Sequence, residues 1–241
     1  MAPRPPTAAA LAAALLAALP APAAAGSRFV TEPPDAAESR ATRYAALPAD
    51  RCLDVLRRRD IPFRRVEPTR GVDTPIRFTA PVRGVRYRPA AQMLIDDDDH
   101  RTIADCRLAL ALDDLARILR RHGVVEVEYY SMYRRRGAGW IKPGMRHQGA
   151  RALDLVSVRL STGVTYSVRG DFHGSIGAVT CGEKASKPRR DTDGARFWRS
   201  VVCELEGTRS FNLLLTPNND WAHRDHFHME VRSGIEWFLI H

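Results

Sequence analysis

Three histidines lie within six residues near the carboxyl end of the chain: His223, His226 and His228. We predict a β-strand from His226 onwards, and alternate side chains of a strand share a face, so His226, His228 and Glu230 point one way. The opposite face is expected to pack into the core through Phe227, Met229 and Val231. Imidazole is the commonest metal ligand near neutral pH, and nitrogen and oxygen ligands suit zinc. The pattern therefore predicts a metal site on the polar face of this strand.

A second group with the same chemistry lies upstream. His147, in a predicted turn, comes seven residues before Asp154, which stands inside an apolar predicted strand. Burying a carboxylate costs free energy unless a positive partner meets it. A divalent metal ion would meet this need and so would an arginine, and the residues alone leave both open.

Together the two motifs read H-x6-D followed, about seventy residues later, by H-x-H. This resembles the metal signature of the zinc peptidases that include D-Ala-D-Ala carboxypeptidases and dipeptidases, lysostaphin-like enzymes and murein endopeptidases. The fuller pattern, residues 147–154 with 222–228, is most similar to the extensin-like C-terminal domain family within that group, over roughly residues 52–231. One departure is that Ala150 stands where the carboxypeptidase pattern has glycine, with Gly149 one place early, so a different turn after His147 is expected.

The resemblance implies one Zn²⁺ ion with His147, Asp154 and His228 as its protein ligands. Three protein ligands would leave a coordination position for water, whose pKa the zinc would lower to generate a nucleophile.

A general base is also implied. The carboxypeptidases use a glutamate at the place of Asp225, whereas other members use the first histidine of H-x-H, here His226. We favour His226 because it shares a strand face with His228, while Asp225 would face away unless the strand begins after it. His223 is expected to contact the metal ligands rather than the metal.

Ser131, Tyr133 and Arg134 resemble the S-x-Y-R element of the same peptidases. The resemblance implies that Arg134 contacts a carbonyl or carboxylate of the substrate and steadies the oxyanion, with Ser131 and Tyr133 as further substrate contacts. The alternative is that residues 134–136, all arginine, form a solvated basic turn.

The elements that must position these residues follow from hydrophobic periodicity. Helices are predicted over residues 103–122 and 195–205, and a short one is predicted from about Asp50. Strands are predicted over residues 124–133, 153–160, 164–168, 211–215 and 226–231. The order predicts an α+β fold with a mainly antiparallel sheet and flanking helices. The resemblance implies the fold of the D-Ala-D-Ala carboxypeptidase-like zinc peptidases.

The amino terminus has the features of a secretory signal peptide over residues 1–25: one early charge at Arg4, an Ala/Leu run from Ala8 to Leu19, and a terminal A-x-A. An uncleaved anchor is the alternative, and no second apolar run of membrane length follows. Residues 26–48 are predicted to form a flexible arm and residues 49–241 the extensin-like, zinc peptidase-like domain. The protein is therefore expected to be exported, as a periplasmic or extracellular protein without a transmembrane segment.

Four cysteines agree with export, because disulfides persist in oxidising compartments. They form no C-x-x-C pair, and four cysteines allow three pairings. We favour Cys52 with Cys106 and Cys181 with Cys203, since sequence neighbours usually meet. Buried free thiols are the alternative, and the spacing fits no zinc finger.

The net charge of +9, from 37 basic and 28 acidic residues, favours an acidic partner. Removing Arg4 with the signal peptide leaves about +8. Export argues against nucleic acid, whereas peptidoglycan stem peptides carry free carboxylates. Peptidoglycan or another anionic cell-wall polymer is therefore the expected partner.

These features predict a secreted zinc metallopeptidase, a carboxypeptidase or an endopeptidase, that hydrolyses peptidoglycan stem peptides or cross-links. The alternative is a non-catalytic protein that keeps the zinc scaffold and binds cell-wall peptide or polysaccharide. A serine hydrolase is disfavoured because the chain has no G-x-S-x-G motif.

Overall fold

The computed structural model describes residues 1–2, 30–31, 39–91, 99–135, 144–235 and 237–241. All but the first two residues of the predicted signal peptide lie outside this part of the chain. The helices in the described residues are α1 (Arg40–Ala45), α2 (Ala49–Arg58), α3 (Cys106–Arg121), α4 (Val168–Asp171) and α5 (Asp193–Thr208). None of them has the length and apolar character of a membrane span.

The strands of the described residues form two sheets. The larger one contains β1 (Val30–Thr31), β4 (Arg86–Pro89), β6 (Val124–Tyr129), β7 (Ala152–Leu160), β8 (Thr165–Ser167), β9 (Leu213–Leu215), β10 (Phe227–Glu230) and β11 (Phe238–Ile240). The smaller one contains β2 (Phe63–Arg65), β3 (Pro75–Phe78) and β5 (Ala104–Asp105).

The larger sheet has the order β1-β11-β9-β10-β7-β6-β4, with β8 paired to β7 off this path. Its pairs are antiparallel except β4 with β6 and β9 with β11, which are parallel. Helices and a mainly antiparallel sheet confirm the predicted α+β class. The two strands that carry the site residues, β7 and β10, lie side by side in the middle of this order.

The core lies between the sheet and the helices α3 and α5. Helix α3 is buried along most of its length, and its buried residues include the charged side chains of Arg107, Asp113 and Asp114. It ends where the sequence indicates, before Gly123, which has a φ of +78° that glycine adopts without steric cost. Trp198 of α5 packs edge-to-face on Phe227 of β10, with ring centroids 5.0 Å apart. The core therefore fixes β10 from its apolar face.

The predicted flexible arm over residues 26–48 is wrong for residues 39–47. Ser39 caps helix α1 by accepting a hydrogen bond from the backbone of Thr42, and Ala41 is fully buried. The Tyr44 hydroxyl donates to buried Asp114 of α3 at 2.7 Å. The contact between Tyr44 and Asp114 spans seventy residues, so the local Ala- and Pro-rich composition did not reveal it.

Both preferred disulfides are confirmed: Cys52 joins Cys106, and Cys181 joins Cys203. The first ties α2 to the start of α3 in the fully buried core. The second ties a loop to α5.

Removing the first disulfide should destabilise the protein more than removing the second. The bonded cysteines are 54 and 22 residues apart, respectively. Loop-closure entropy then predicts a loss of about 4 kcal/mol for C52A/C106A and about 3 kcal/mol for C181A/C203A. Urea unfolding of the two double variants measures the order, and a larger loss for C181A/C203A would contradict it.

Candidate metal centre

Asp154 and His228 face each other directly across the pair formed by β7 and β10. The antiparallel register places His228 opposite Asp154, and both side chains are almost fully buried. Directly paired residues share one face of a sheet, with their Cβ atoms about 5 Å apart. The opposite face of β10 is occupied by Phe227 and Met229, which lie in the core as the alternation predicts.

His147 reaches the same face from the 3-10 turn Arg146–Gly149 that precedes β7. The turn ends at Ala150, whose φ of +52° is the left-handed conformation that favours glycine. Gly149 is required for a different reason, because a Cβ atom there would lie 2.6 Å from the backbone of Gly144. Ala150 thus adopts the conformation that favours glycine, so the departure from the carboxypeptidase pattern does not keep His147 away from Asp154.

Three ligand atoms converge on one point. His147 Nε2 lies 3.1 Å from Asp154 Oδ1 and 3.3 Å from His228 Nδ1, and His228 Nδ1 lies 2.7 Å from Asp154 Oδ1. All three side chains are buried.

In each imidazole, the nitrogen that points away from the three convergent atoms already has a hydrogen-bond partner. His147 Nδ1 lies 3.2 Å from the Met132 carbonyl oxygen, which can only accept, so Nδ1 carries the hydrogen. His228 Nε2 donates to the Glu230 carboxylate at 2.5 Å. The inner nitrogens of the neutral rings are then both acceptors, as is Asp154 Oδ1. Three acceptors facing one another fit a cation between them, and two imidazoles with one carboxylate are a donor set for a divalent metal.

Glu230 is a site residue that the sequence analysis did not assign, although its place two residues after His228 on the same strand face was the available signal. Its side chain is fully buried and also accepts from Arg146 Nε at 2.8 Å. Burial alone raises the pKa of Glu230, but His228, Arg146 and Arg232 outweigh it and keep the pKa below its ordinary value. Glu230 is therefore a carboxylate that fixes the His228 ring.

The sequence left open whether a metal or an arginine is the partner of Asp154. In the structure the two carboxylate oxygens of Asp154 have different neighbours. Oδ1 faces the two histidines, while Oδ2 forms an ion pair with Arg134. Ser131 is buried, and its hydroxyl accepts from Arg134 Nε at 2.8 Å. Ser131 therefore orients Arg134, which corrects the expectation that Ser131 itself contacts substrate.

Tyr133 is likewise expected to contact substrate, but the structure places it elsewhere. It is buried against Val72, Ile103 and Ala150, and its hydroxyl donates to the Arg70 carbonyl at 3.1 Å. Its role is packing behind the turn of His147, since it does not line the cavity.

The pKa values of the two candidate histidine ligands, His147 and His228, are shifted in opposite directions. Burial holds the pKa of His147 below its ordinary value, although Asp154 favours the charged ring. Burial also disfavours a charge on His228, but hydrogen bonds to Asp154 and Glu230 raise its pKa. Burial raises the pKa of Asp154, and the two histidines reverse this and hold it well below its ordinary value. A metal would therefore displace a proton mainly from His228.

His226 lies one residue before β10, so it does not belong to the strand on which its preference over Asp225 was based. Its Nε2 nevertheless lies 3.7 Å from Asp154 Oδ1. The Asp225 carboxylate lies 2.8 Å from His226 Nδ1 and accepts from the Tyr130 hydroxyl at 3.4 Å. Asp225 thus orients His226 through Nδ1, and Nε2 faces the cluster of His147, Asp154 and His228.

His223 forms a similar pair. It lies in the 3-10 turn Trp221–His223, and its Nδ1 is 2.8 Å from the Asp220 carboxylate that caps this turn. Its ring centroid lies 5.3 Å from that of His226 and 5.8 Å from that of His228. Burial lowers the pKa of His223 below its ordinary value despite Asp220. The sequence predicts a place for His223 beside the candidate ligands. Asp220 is a further residue of the site, and its position three residues ahead of His223 is typical of a capping aspartate.

The cluster opens into a cavity of about 460 Å³. Its lining includes the three convergent residues, His223 and His226, together with the exposed arginines Arg134 and Arg146. A buried metal-ligating set, a carboxylate-oriented imidazole and an arginine around one cavity can support metal-assisted hydrolysis.

Of three comparisons with known proteins, the one with protein families gives a match. No curated protein and no solved structure matches the chain significantly. The family model described as "Extensin-like protein C-terminus" matches residues 50–238, which include every site residue named above and well over half of the chain. The protein therefore belongs to the family of extensin-like protein C-terminal domains.

Proposed function

We propose that the protein is an exported zinc-dependent peptidase that hydrolyses peptidoglycan stem peptides or cross-links, and that its family is related to the D-Ala-D-Ala carboxypeptidases and murein endopeptidases. The observation that supports this most is the convergence of three acceptor atoms, from His147, Asp154 and His228, within 3.3 Å of one another. Two imidazole nitrogens and one carboxylate oxygen suit zinc.

His147, Asp154 and His228 would hold Zn²⁺, which when bound would supply Lewis acidity to polarise a peptide carbonyl and to make water a stronger acid. His226 Nε2 accepts the proton of the attacking water and returns it to the leaving amine. Asp225 keeps the opposite nitrogen protonated, so Nε2 is free to accept. The half-exposed Arg134, held by Ser131 and Asp154, donates to the carbonyl oxygen as negative charge develops on it.

Export and a cell-wall substrate rest on separate observations. Two disulfides are typical of proteins from oxidising compartments. The net charge of +9 favours anionic polymers. Arg134 and Arg146 place part of that charge at the cavity itself.

Digestion of purified peptidoglycan tests the proposal. Zinc-loaded protein should release peptide fragments that mass spectrometry resolves, a chelator should stop the release, and added zinc should restore it. Binding of the protein to peptidoglycan without chelator-sensitive fragments would overturn the peptidase proposal and favour a non-catalytic binding protein.

Zinc affinity should fall as the pH falls through the raised pKa of His228. Below that pKa a proton occupies the ring that must bind the metal, so the affinity should fall about tenfold for each pH unit. Above it the affinity should level off, because the low pKa values of His147 and Asp154 keep both deprotonated. Zinc titrations between about pH 5 and 8 measure this slope, and a constant affinity over that range would contradict it.

Glu230→Gln should weaken zinc binding about 10- to 100-fold, the usual cost of losing a partner behind a metal-ligating histidine. Glutamine keeps the size of the side chain but removes the charge that holds the Nε2 hydrogen of His228 and pairs with Arg146. Glu204→Gln is the matched control, since Glu204 pairs with Arg121 and His122 at the end of α3. Equal zinc affinities for the two variants would rule out this role of Glu230.

A further inference from the structure

A second pocket of about 330 Å³ lies beside the metal cavity. It is lined in part by Arg169, Ile176, Arg189, Asp220, Trp221 and Arg224, and we call it the arginine pocket. The turn Trp221–His223 separates the two cavities. Ala222 and His223 face the metal cavity, whereas Asp220, Trp221 and Arg224 face the arginine pocket. A ligand that crosses this turn can therefore occupy both.

The three arginines of the pocket are not neutralised by ion pairs within the part of the chain that the structure describes. Neither Arg169, Arg189 nor Arg224 forms an ion pair with a carboxylate of the described residues. Arg224 Nη1 donates to the Trp221 carbonyl oxygen, and this neutral partner leaves the charge of Arg224 uncompensated. Asp220 does carry a carboxylate into the lining, but its oxygens are held by His223 and Asn219. Unpaired guanidinium groups around a concavity attract an anion and bind carboxylates in a fixed geometry.

An apolar surface accompanies this charge. Trp221 is 72% exposed and Ile176 is 63% exposed, the two highest values among large hydrophobic residues of the described chain after Met1. The Arg224 guanidinium lies over the Trp221 ring, 4.9 Å from its centroid. Exposed apolar side chains next to unpaired arginines suit a ligand with both a carboxylate and an apolar body.

The charges of two pocket arginines also act on Tyr130, which neighbours the Asp225–His226 pair of the metal cavity. Burial and the Asp225 carboxylate raise the pKa of Tyr130, and the charges of Arg169 and Arg224 oppose this rise. The Tyr130 hydroxyl donates to Asp225, which in turn is hydrogen-bonded to His226.

We propose that the arginine pocket is a subsite for a free carboxylate of the stem peptide, next to the bond that the metal cavity holds. The identity of this ligand as substrate rests on the proposed function, whereas the preference of the pocket for a carboxylate does not. Arg169 and Arg189 bind the carboxylate, and Trp221 with Ile176 contacts the apolar part of the same peptide.

Calorimetric titration with two synthetic stem peptides tests the subsite. The peptides are identical except that the α-carboxylate of the D-glutamyl residue is free in one and amidated in the other. Zinc-loaded His226→Ala protein serves as the reference, since the loss of the proposed base keeps the peptide intact. R169A/R189A is compared with R51A/R58A in this background, because Arg51 and Arg58 are exposed on α2 and line neither cavity.

The reference should bind the free carboxylate about tenfold more tightly than the amide, as expected for one charge-assisted contact. R169A/R189A should lose this preference, and R51A/R58A should keep it. Equal affinities in the reference, or an unchanged preference in R169A/R189A, would overturn the subsite.

The peptidoglycan digestion separates this proposal from the proposed function. A carboxylate preference without digestion by the zinc-loaded wild-type protein leaves the subsite standing and overturns the peptidase. Digestion without any carboxylate preference leaves the peptidase standing and overturns the subsite.

Discussion

Replacing His226 with alanine is expected to lower peptide turnover 100- to 10,000-fold, about the usual contribution of a general base. The variant should keep its zinc, because the convergent atoms belong to His147, Asp154 and His228. His226 Nε2 lies 3.7 Å from Asp154 Oδ1, beside the three convergent atoms. Turnover of a defined stem peptide and zinc content by mass spectrometry measure the two effects separately.

Asp225→Asn provides the decisive comparison for the identity of the base. Asp225 lies 2.8 Å from His226 Nδ1, so its loss should disorient the imidazole and reduce turnover less than the loss of the imidazole itself. If Asp225 were the base, the order would reverse. His122→Ala is the control for removing a partly buried histidine, because His122 pairs with Glu204 away from the cavity. Its turnover should stay within about twofold of wild type.

Replacing His228 with alanine is expected to cost more in zinc affinity than the roughly 100-fold upper range for losing an outer partner such as Glu230. The variant removes one of three ligand atoms and leaves His147 and Asp154 alone. It also leaves the buried Glu230 carboxylate without its imidazole partner. Peptide turnover should disappear together with the metal.

Competition with a chromogenic zinc chelator measures this affinity, and thermal unfolding of the metal-free variant shows that it still folds. His226→Ala serves as the matched control, because it removes an imidazole from the same cavity and should keep wild-type affinity. Wild-type zinc affinity in His228→Ala, or an equal loss in both variants, would contradict the assignment of ligands.

Sequence patterns predicted much of this site because its signals are local. Alternation placed His228 and Glu230 on one face of β10 and Phe227 and Met229 on the other. The contacts agree, since Phe227 and Met229 belong to the hydrophobic core, whereas His228 lines the cavity and is hydrogen-bonded to Glu230. The neighbouring cysteines paired as expected.

The remaining features depend on contacts between distant parts of the chain. The register that sets His228 opposite Asp154 arises from the pairing of β7 with β10, which no local pattern specifies. The Tyr133 hydroxyl donates to the Arg70 carbonyl oxygen, and the Ser131 hydroxyl accepts from Arg134. The S-x-Y-R pattern predicts neither of these two hydrogen bonds. Helix α1 is likewise stabilised through Asp114, seventy residues away from Tyr44.

Anomalous diffraction from crystals grown with Zn²⁺ tests the metal centre most directly. We expect one zinc peak bonded to His147 Nε2, Asp154 Oδ1 and His228 Nδ1, with His226 beside it but unbonded. A peak bonded through His223 or His226 in place of these atoms, or no peak at this cluster at saturating zinc, would contradict it.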